Sequence, residues 1–232
     1  MAFPPLSRLL YDAPTYQHLG ADIQEDKQEY SASEQQRRLG LFHELFRREA
    51  LQLVELLREQ GSALVFITAP VNLELSPLRA CENADSSAVQ SLQAKMHELM
   101  KGGHAKEALA TLEPLSQTVP GHARTHHLMG QAYLELGDGA RARQEFEKAQ
   151  AFDCGQGRPS VVDNAILRSI AARHSLLVLD FADDLARQLG QNEVFLSDTV
   201  PQSFPYQKLT DKIRHVVARQ FHLLGRSEGK KP

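Results

Sequence analysis

The chain has 232 residues, 42% of them apolar, with 26 Lys and Arg set against 29 Asp and Glu for a net charge of −3. That length can bury one or two cores, and the charge balance excludes a general nucleic-acid binder, which needs a basic field to hold phosphates. The longest apolar run, at 63–67, is far too short to span a bilayer, and residues 1–10 lack the cationic start and long apolar stretch of a secretory leader, so the expected setting is cytoplasmic.

Residues 1–30 scatter Pro4, Pro5 and Pro14 and Tyr11, Tyr16 and Tyr30 among acidic residues with no period, which predicts an irregular arm. From 33 to 60, Leu39, Phe42, Phe46, Leu51, Val54 and Leu57 recur at helical spacing, so one long amphipathic helix is expected, ended by Gly61. The run at 62–68 is rich in branched and aromatic residues and reads as a strand buried on both faces.

Between 86 and 156 the pattern changes. Leu99, Gly103, Ala108, Leu112, Leu115 and Pro120 return 34 residues later as Tyr133, Gly137, Ala142, Phe146, Ala149 and Cys154. In 123–136, His126, Met129, Gly130 and Tyr133 share one helical face. Gly137, Asp138 and Gly139 then break the helix, and 140–152 runs back with small Ala142 and Ala149 where the helices cross. This resembles the tetratricopeptide repeat, a unit of two antiparallel helices. The family pattern of Gly, Tyr, Ala, bulky aromatic and Ala is held by Gly130, Tyr133, Ala142, Phe146 and Ala149. His126 takes the Trp-like position, Cys154 the closing Pro, and the first copy has Met96 where the early Gly belongs. The resemblance implies protein binding along the inner face of each first helix, at Gln90, Gln93, His97 and Met100 and then at Arg124, His127, Gln131 and Leu134. This polar set with two apolar anchors suits an extended peptide or a helix end; the alternative is that a groove of only two repeats is shallow and packs against the chain's own α/β layer. Two repeats leave apolar faces that only a neighbour can cover, so the flanking segments must cap them.

After the repeats, 160–173 reads as a helix with Val161, Ile166, Ile170 and Ala171 inward, and 176–180 as a second buried strand. A last helix is expected over 206–224, covering one face of the sheet, followed by a basic tail at 225–232. Lys208, Lys212, Arg214, Arg219, Arg226, Lys230 and Lys231 make this end a solvated basic face. Helix then strand, twice, implies a parallel α/β unit. The expected fold class is therefore α/β plus α and mostly helical. A small partial parallel sheet with flanking helices, from 31–80 and 158–224, is interrupted by a two-repeat helical insert at 86–156. The insert leaves from the carboxyl end of a strand, the edge where open α/β sheets bind ligands.

Three stretches of the split layer, 64–72, 176–181 and 194–201 leading into 206–209, resemble the later strands and final block of hydrolases of the Gly-Asp-Ser-Leu (SGNH) type joined to tetratricopeptide repeats. That family's final block carries the Asp and His of a Ser-His-Asp triad. The resemblance makes Asp198 a vestigial catalytic candidate, but Pro201 stands where the His belongs, and Pro has no nitrogen that can take a proton from a Ser hydroxyl. No Gly-Asp-Ser occurs in the chain, since Gly137-Asp138 is followed by Gly139. The Gly-X-Asn block that donates oxyanion hydrogen bonds is also missing, and the strands carrying both motifs would lie before residue 1. The expectation is a noncatalytic adaptor or assembly subunit without a cofactor. The alternative is an esterase or acyl-transfer fragment completed by another chain that supplies Ser and His. A sheet edge left bare by absent strands invites pairing with another chain or a second copy, so a complex or a homodimer is expected.

Among ten His, His122 and His126 stand at i, i+4, read here as a surface imidazole beside a core one rather than as a metal clamp. The two cysteines, Cys81 and Cys154, flank the insert, and one disulfide across its base is conceivable, but two Cys in a chain of this length fit a reducing compartment better, with Cys154 simply buried.

Overall fold

The computed structural model describes residues 31–78, 87–155, 158–191 and 194–228. The arm read at 1–30, Cys81 and the last four residues of the basic tail lie outside the described residues. In chain order the elements are α1 (Ala32–Glu59), β1 (Val65–Ile67), α2 (Ser87–Lys101), α3 (Ala105–Thr118), α4 (Ala123–Glu135), α5 (Gly139–Ala151), α6 (Val161–His174), β2 (Leu177–Leu179), α7 (Phe181–Ala186) and α8 (Ser203–Glu228).

The 34-residue echo is repeated in backbone geometry. Gly103 and Gly137 take φ of +74° and +76°, a left-handed turn residue that glycine adopts without a Cβ penalty. Gly103 donates to the Met100 carbonyl at 3.0 Å and His104 to Leu99 at 2.9 Å. One period later, Gly137 donates to Leu134 at 3.0 Å and Asp138 to Tyr133 at 2.9 Å. Both first helices therefore end in the same hydrogen-bonded cap, which reverses the chain. Asp138 then accepts from the Arg141 amide and His122 from the Thr125 amide, starting α5 and α4.

Packing repeats as well. Ala108 and Ala142 are fully buried, as are Leu112 and Phe146 within a per cent. A Cβ on Gly130 would stand 2.7 Å from the Phe146 ring, so its bare Cα is what lets α4 close on α5. In the first repeat Met96, fully buried, packs in one cluster with the smaller Leu112. The two repeats exchange bulk across the same crossing, Met with Leu in one and Gly with Phe in the other. This is how the first copy tolerates the loss of its early Gly.

The strands pair in parallel, Val65 with Leu177, Phe66 with Val178 and Ile67 with Leu179. The chain crosses from one to the other through all four repeat helices and α6. Ala50 and Val54 of α1 and Ile166, Ile170 and Ala171 of α6 pack on Phe66 and Val178, covering one sheet face. At the strands' carboxyl ends, Thr68 donates to Asp180 at 2.9 Å, and Arg168 grips the same carboxylate at 2.7 and 2.8 Å. Buried Asn164 accepts from the Ala69 amide and donates to its carbonyl, tying α6 to the end of β1.

Several expectations change. The strands are three residues long rather than seven and five, because with only one neighbour each there is little ladder to sustain. They are not buried on both faces, since Ile67 and Leu177 are 41% and 45% exposed. α8 packs beside α7 through Leu209, Phe181 and Tyr206 and leaves those two residues open. It also begins earlier than read and runs to Glu228, so part of the expected tail is helix. Lys212 pairs with Asp184, Arg214 with Asp211, and Lys208 lies over the Phe204 ring, in keeping with a solvated face. His122 is not at the surface. It is 2% exposed, and its ring pairs with the Thr125 hydroxyl at 2.7 Å. Cys154 is disulfide-bonded rather than a free buried thiol.

Candidate functional site

The inner face of α2 and α4 forms a recess of about 300 Å³ lined by Ser76, His97, Arg124, His127, Leu128 and Gln131. Four of the eight positions expected from the repeat register are thus gathered in one place, because residues three and four apart stack along a helix. Arg124 and His97 are exposed and Gln131 is half-buried. Arg124 makes no ion pair among the described residues. Met100 turns inward and packs against the repeat core. Gln90 and Gln93 lie on α2, but their side chains fall outside what is described.

His127 and Leu134 are already occupied, and the reason lies outside the repeats. The segment after β1, residues 71–78, runs across the groove as a strap. Val71 and Leu73 are 6% and 5% exposed and pack on Ala142 and Phe146 of α5 and Ala186 of α7. The strap's polar backbone is held in turn. His127 Nε2 donates to the Glu74 carbonyl at 2.9 Å, Gln150 to the Leu75 carbonyl at 2.9 Å and Arg158 to the Ser76 carbonyl at 3.0 Å, while Asp153 accepts from the Leu78 amide at 2.9 Å. Glu74 accepts from the Gly190 amide at 2.9 Å, and Gly190 sits against Leu134. Among the described residues the strap covers the α4–α5 part of the groove, while His97 and Arg124 beside it stay exposed. The sequence signal at 71–78 is a short alternation, apolar Val71, Leu73 and Leu75 against polar Asn72, Glu74 and Ser76, which marks an extended segment with one buried side and was missed because no strand forms there.

Burial pushes the His127 imidazole below its ordinary pKa, an effect only partly offset by its hydrogen bond to Glu74. Behind it, His126 Nδ1 meets Glu145 at 2.6 Å and Nε2 meets the Pro120 carbonyl at 2.8 Å, so each ring nitrogen faces an acceptor. Burial would raise the Glu145 carboxyl, but hydrogen bonds from His126 and Lys148 outweigh it and hold the group below the usual carboxylate range. Both imidazoles are bound within the fold, and among the described residues no three His, Cys, Asp or Glu stand together as metal ligands.

Asp198 is exposed, with its carboxylate 3.0 Å from Arg158 Nη2. Pro201 is buried and bridges to Phe195. A guanidinium, not an imidazole, is the partner of this Asp, and a permanently charged group cannot shuttle a proton.

Residues 99–153, from the end of α2 to just past α5, match the family model described as Tetratricopeptide repeat. No curated protein and no solved structure matches the chain.

Proposed function

We propose that this chain is a noncatalytic adaptor that holds a protein partner in its repeat groove. What carries this is the recess that gathers His97, Arg124 and Gln131 on the inner face of a matched tetratricopeptide segment. The recess is polar and cationic, with Arg124 exposed and without an ion pair among the described residues, and fits an extended peptide bearing an acidic or carbonyl-rich stretch. His127 and Leu134 shape the strap rather than touch the partner.

The finer reading is that the repeats are an insert, at 86–156, in a degenerate SGNH-like layer built from 31–80 and 158–224. It draws support from the parallel strand–crossover–strand order and from the exit of the insert at the carboxyl end of β1. The open strand edges, with exposed Ile67 and Leu177, are a second surface at which another chain or a second copy can pair.

The test is recovery of partners by the tagged full chain from its own cell lysate. Arg124→Glu and Gln131→Ala are expected to lower recovery at least several-fold, while Lys106→Glu on α3 leaves it unchanged and all three retain wild-type circular dichroism. Recovery that survives both groove substitutions overturns the groove as the site.

A further inference from the structure

A second cavity, of about 420 Å³, lies away from the groove, between the amino half of α1, the end of α5 and the start of α6. Its position is set by the sheet. Asn164 ties the first turns of α6, which form one wall of the cavity, to the end of β1. The cavity's volume is that of a small-molecule site.

One wall is apolar and unusually bare. Phe42 and Leu45 are 52% and 50% exposed, and Phe46 stands one turn beyond Phe42 on the same face. Glu49, on that face too, is exposed and makes no ion pair among the described residues. The opposite wall holds Asp163, which meets His43 Nδ1 through one oxygen at 2.7 Å. The third carboxylate, Asp153, turns its oxygens to the Leu78 and Gly155 amides. Among the described lining residues the one permanent cation, Arg158, is spent on Asp198 and the Ser76 carbonyl. At the amino end of α6, Ser160 accepts from the Val162 amide, and Asp163 stands in the first turn, where its charge answers the helix's positive end.

An apolar aromatic wall facing Glu49, which has no ion pair among the described residues, and Asp163, whose one described partner is the His43 imidazole, is complementary to one ligand chemistry. We propose that this cavity binds a small amphipathic amine, its ammonium between Glu49 and Asp163 and its apolar body against Phe42 and Phe46. The ammonium gains charge-assisted hydrogen bonds from the carboxylates and attraction from the ring faces. A carboxylate or phosphate of the same size would meet like charge.

The probe is phenethylammonium, compared with phenethyl alcohol and 3-phenylpropionate, titrated into the full chain and followed by saturation-transfer NMR. The ammonium is expected to saturate with a dissociation constant on the order of 1 mM, as a fragment of this size does. The alcohol should bind at least several-fold more weakly and the carboxylate not at all. Glu49→Gln is expected to weaken the ammonium about fivefold or more, as is Asp163→Asn, which keeps an acceptor for His43. Glu113→Gln, exposed on α3, removes one charge elsewhere and should change nothing. Absence of saturation, equal binding of the three probes, or equal weakening by Glu113→Gln overturns the proposal.

Discussion

Gly130 and Met96 occupy equivalent places in the two repeats and solve one packing problem in opposite ways. A methyl group on Gly130 has no room against Phe146, so Gly130→Ala should cost about 1 to 3 kcal/mol, read as a lowered midpoint in urea unfolding. Pairing it with Phe146→Leu, which copies the first repeat's bulk, should recover part of that loss. Two repeat residues shape the acid response, alongside Asp180 and Asp183, whose carboxyls burial would raise but their arginine partners hold low. His127 is held neutral by burial, so below its ordinary pKa of 6.5 the unfolded chain takes up protons that the folded chain refuses, and stability falls as pH drops from there. Glu145, its carboxyl held below 4.5, adds a second loss as pH falls through that range. Unfolding free energy should therefore decline between pH 7.5 and pH 5.5, and His127→Gln, which keeps a donor for the Glu74 carbonyl, should flatten that decline. Glu145→Ala would strand the His126 donor in the core and should cost about 3 kcal/mol at neutral pH.

Among the elements, the repeat helices were legible from sequence and the strap was not. Each helix bears its own period, its Gly turn and its small crossing residues, all within one stretch of chain, so α4 and α5 fall within a residue or so of where their spacing puts them. The strap carries only a short apolar–polar alternation at 71–76, and what it packs on is not local, because its backbone is satisfied by side chains from α4, α5 and the loop before α6, partners up to 82 residues away. For the same reason His127 reads as a groove residue and proves to be a buried anchor. Strand length was overread, since a branched, apolar run reports burial and says nothing of how many strands lie beside it. The strap's importance can be measured directly. Leu73→Ala removes a buried side chain from the α5 face and should cost about 2 to 4 kcal/mol. A fragment spanning residues 87–155, stripped of strap and α6, should show much less helix by circular dichroism than the same segment has in the full chain. A fragment as stable as the full chain would mean that the repeats cap themselves.

For the molecule as a whole, no described helix is long and apolar enough to cross a membrane, and the repeats and the α/β layer share a junction at Val71, Leu73, Ala142, Phe146 and Ala186. Both cavities are linked through the Ser76 carbonyl of the strap. The groove recess reaches Ser76 of the strap, and the amine-complementary cavity reaches Arg158, which holds the same Ser76 carbonyl. The most direct test of a partner in the groove places a photo-crosslinking amino acid at position 131, and separately at 106 on α3, in the full chain within its own lysate. A discrete adduct formed from position 131, lost with Arg124→Glu and not formed from position 106, is the expected result. No adduct at 131, or the same adduct from both positions, would contradict binding in the repeat groove.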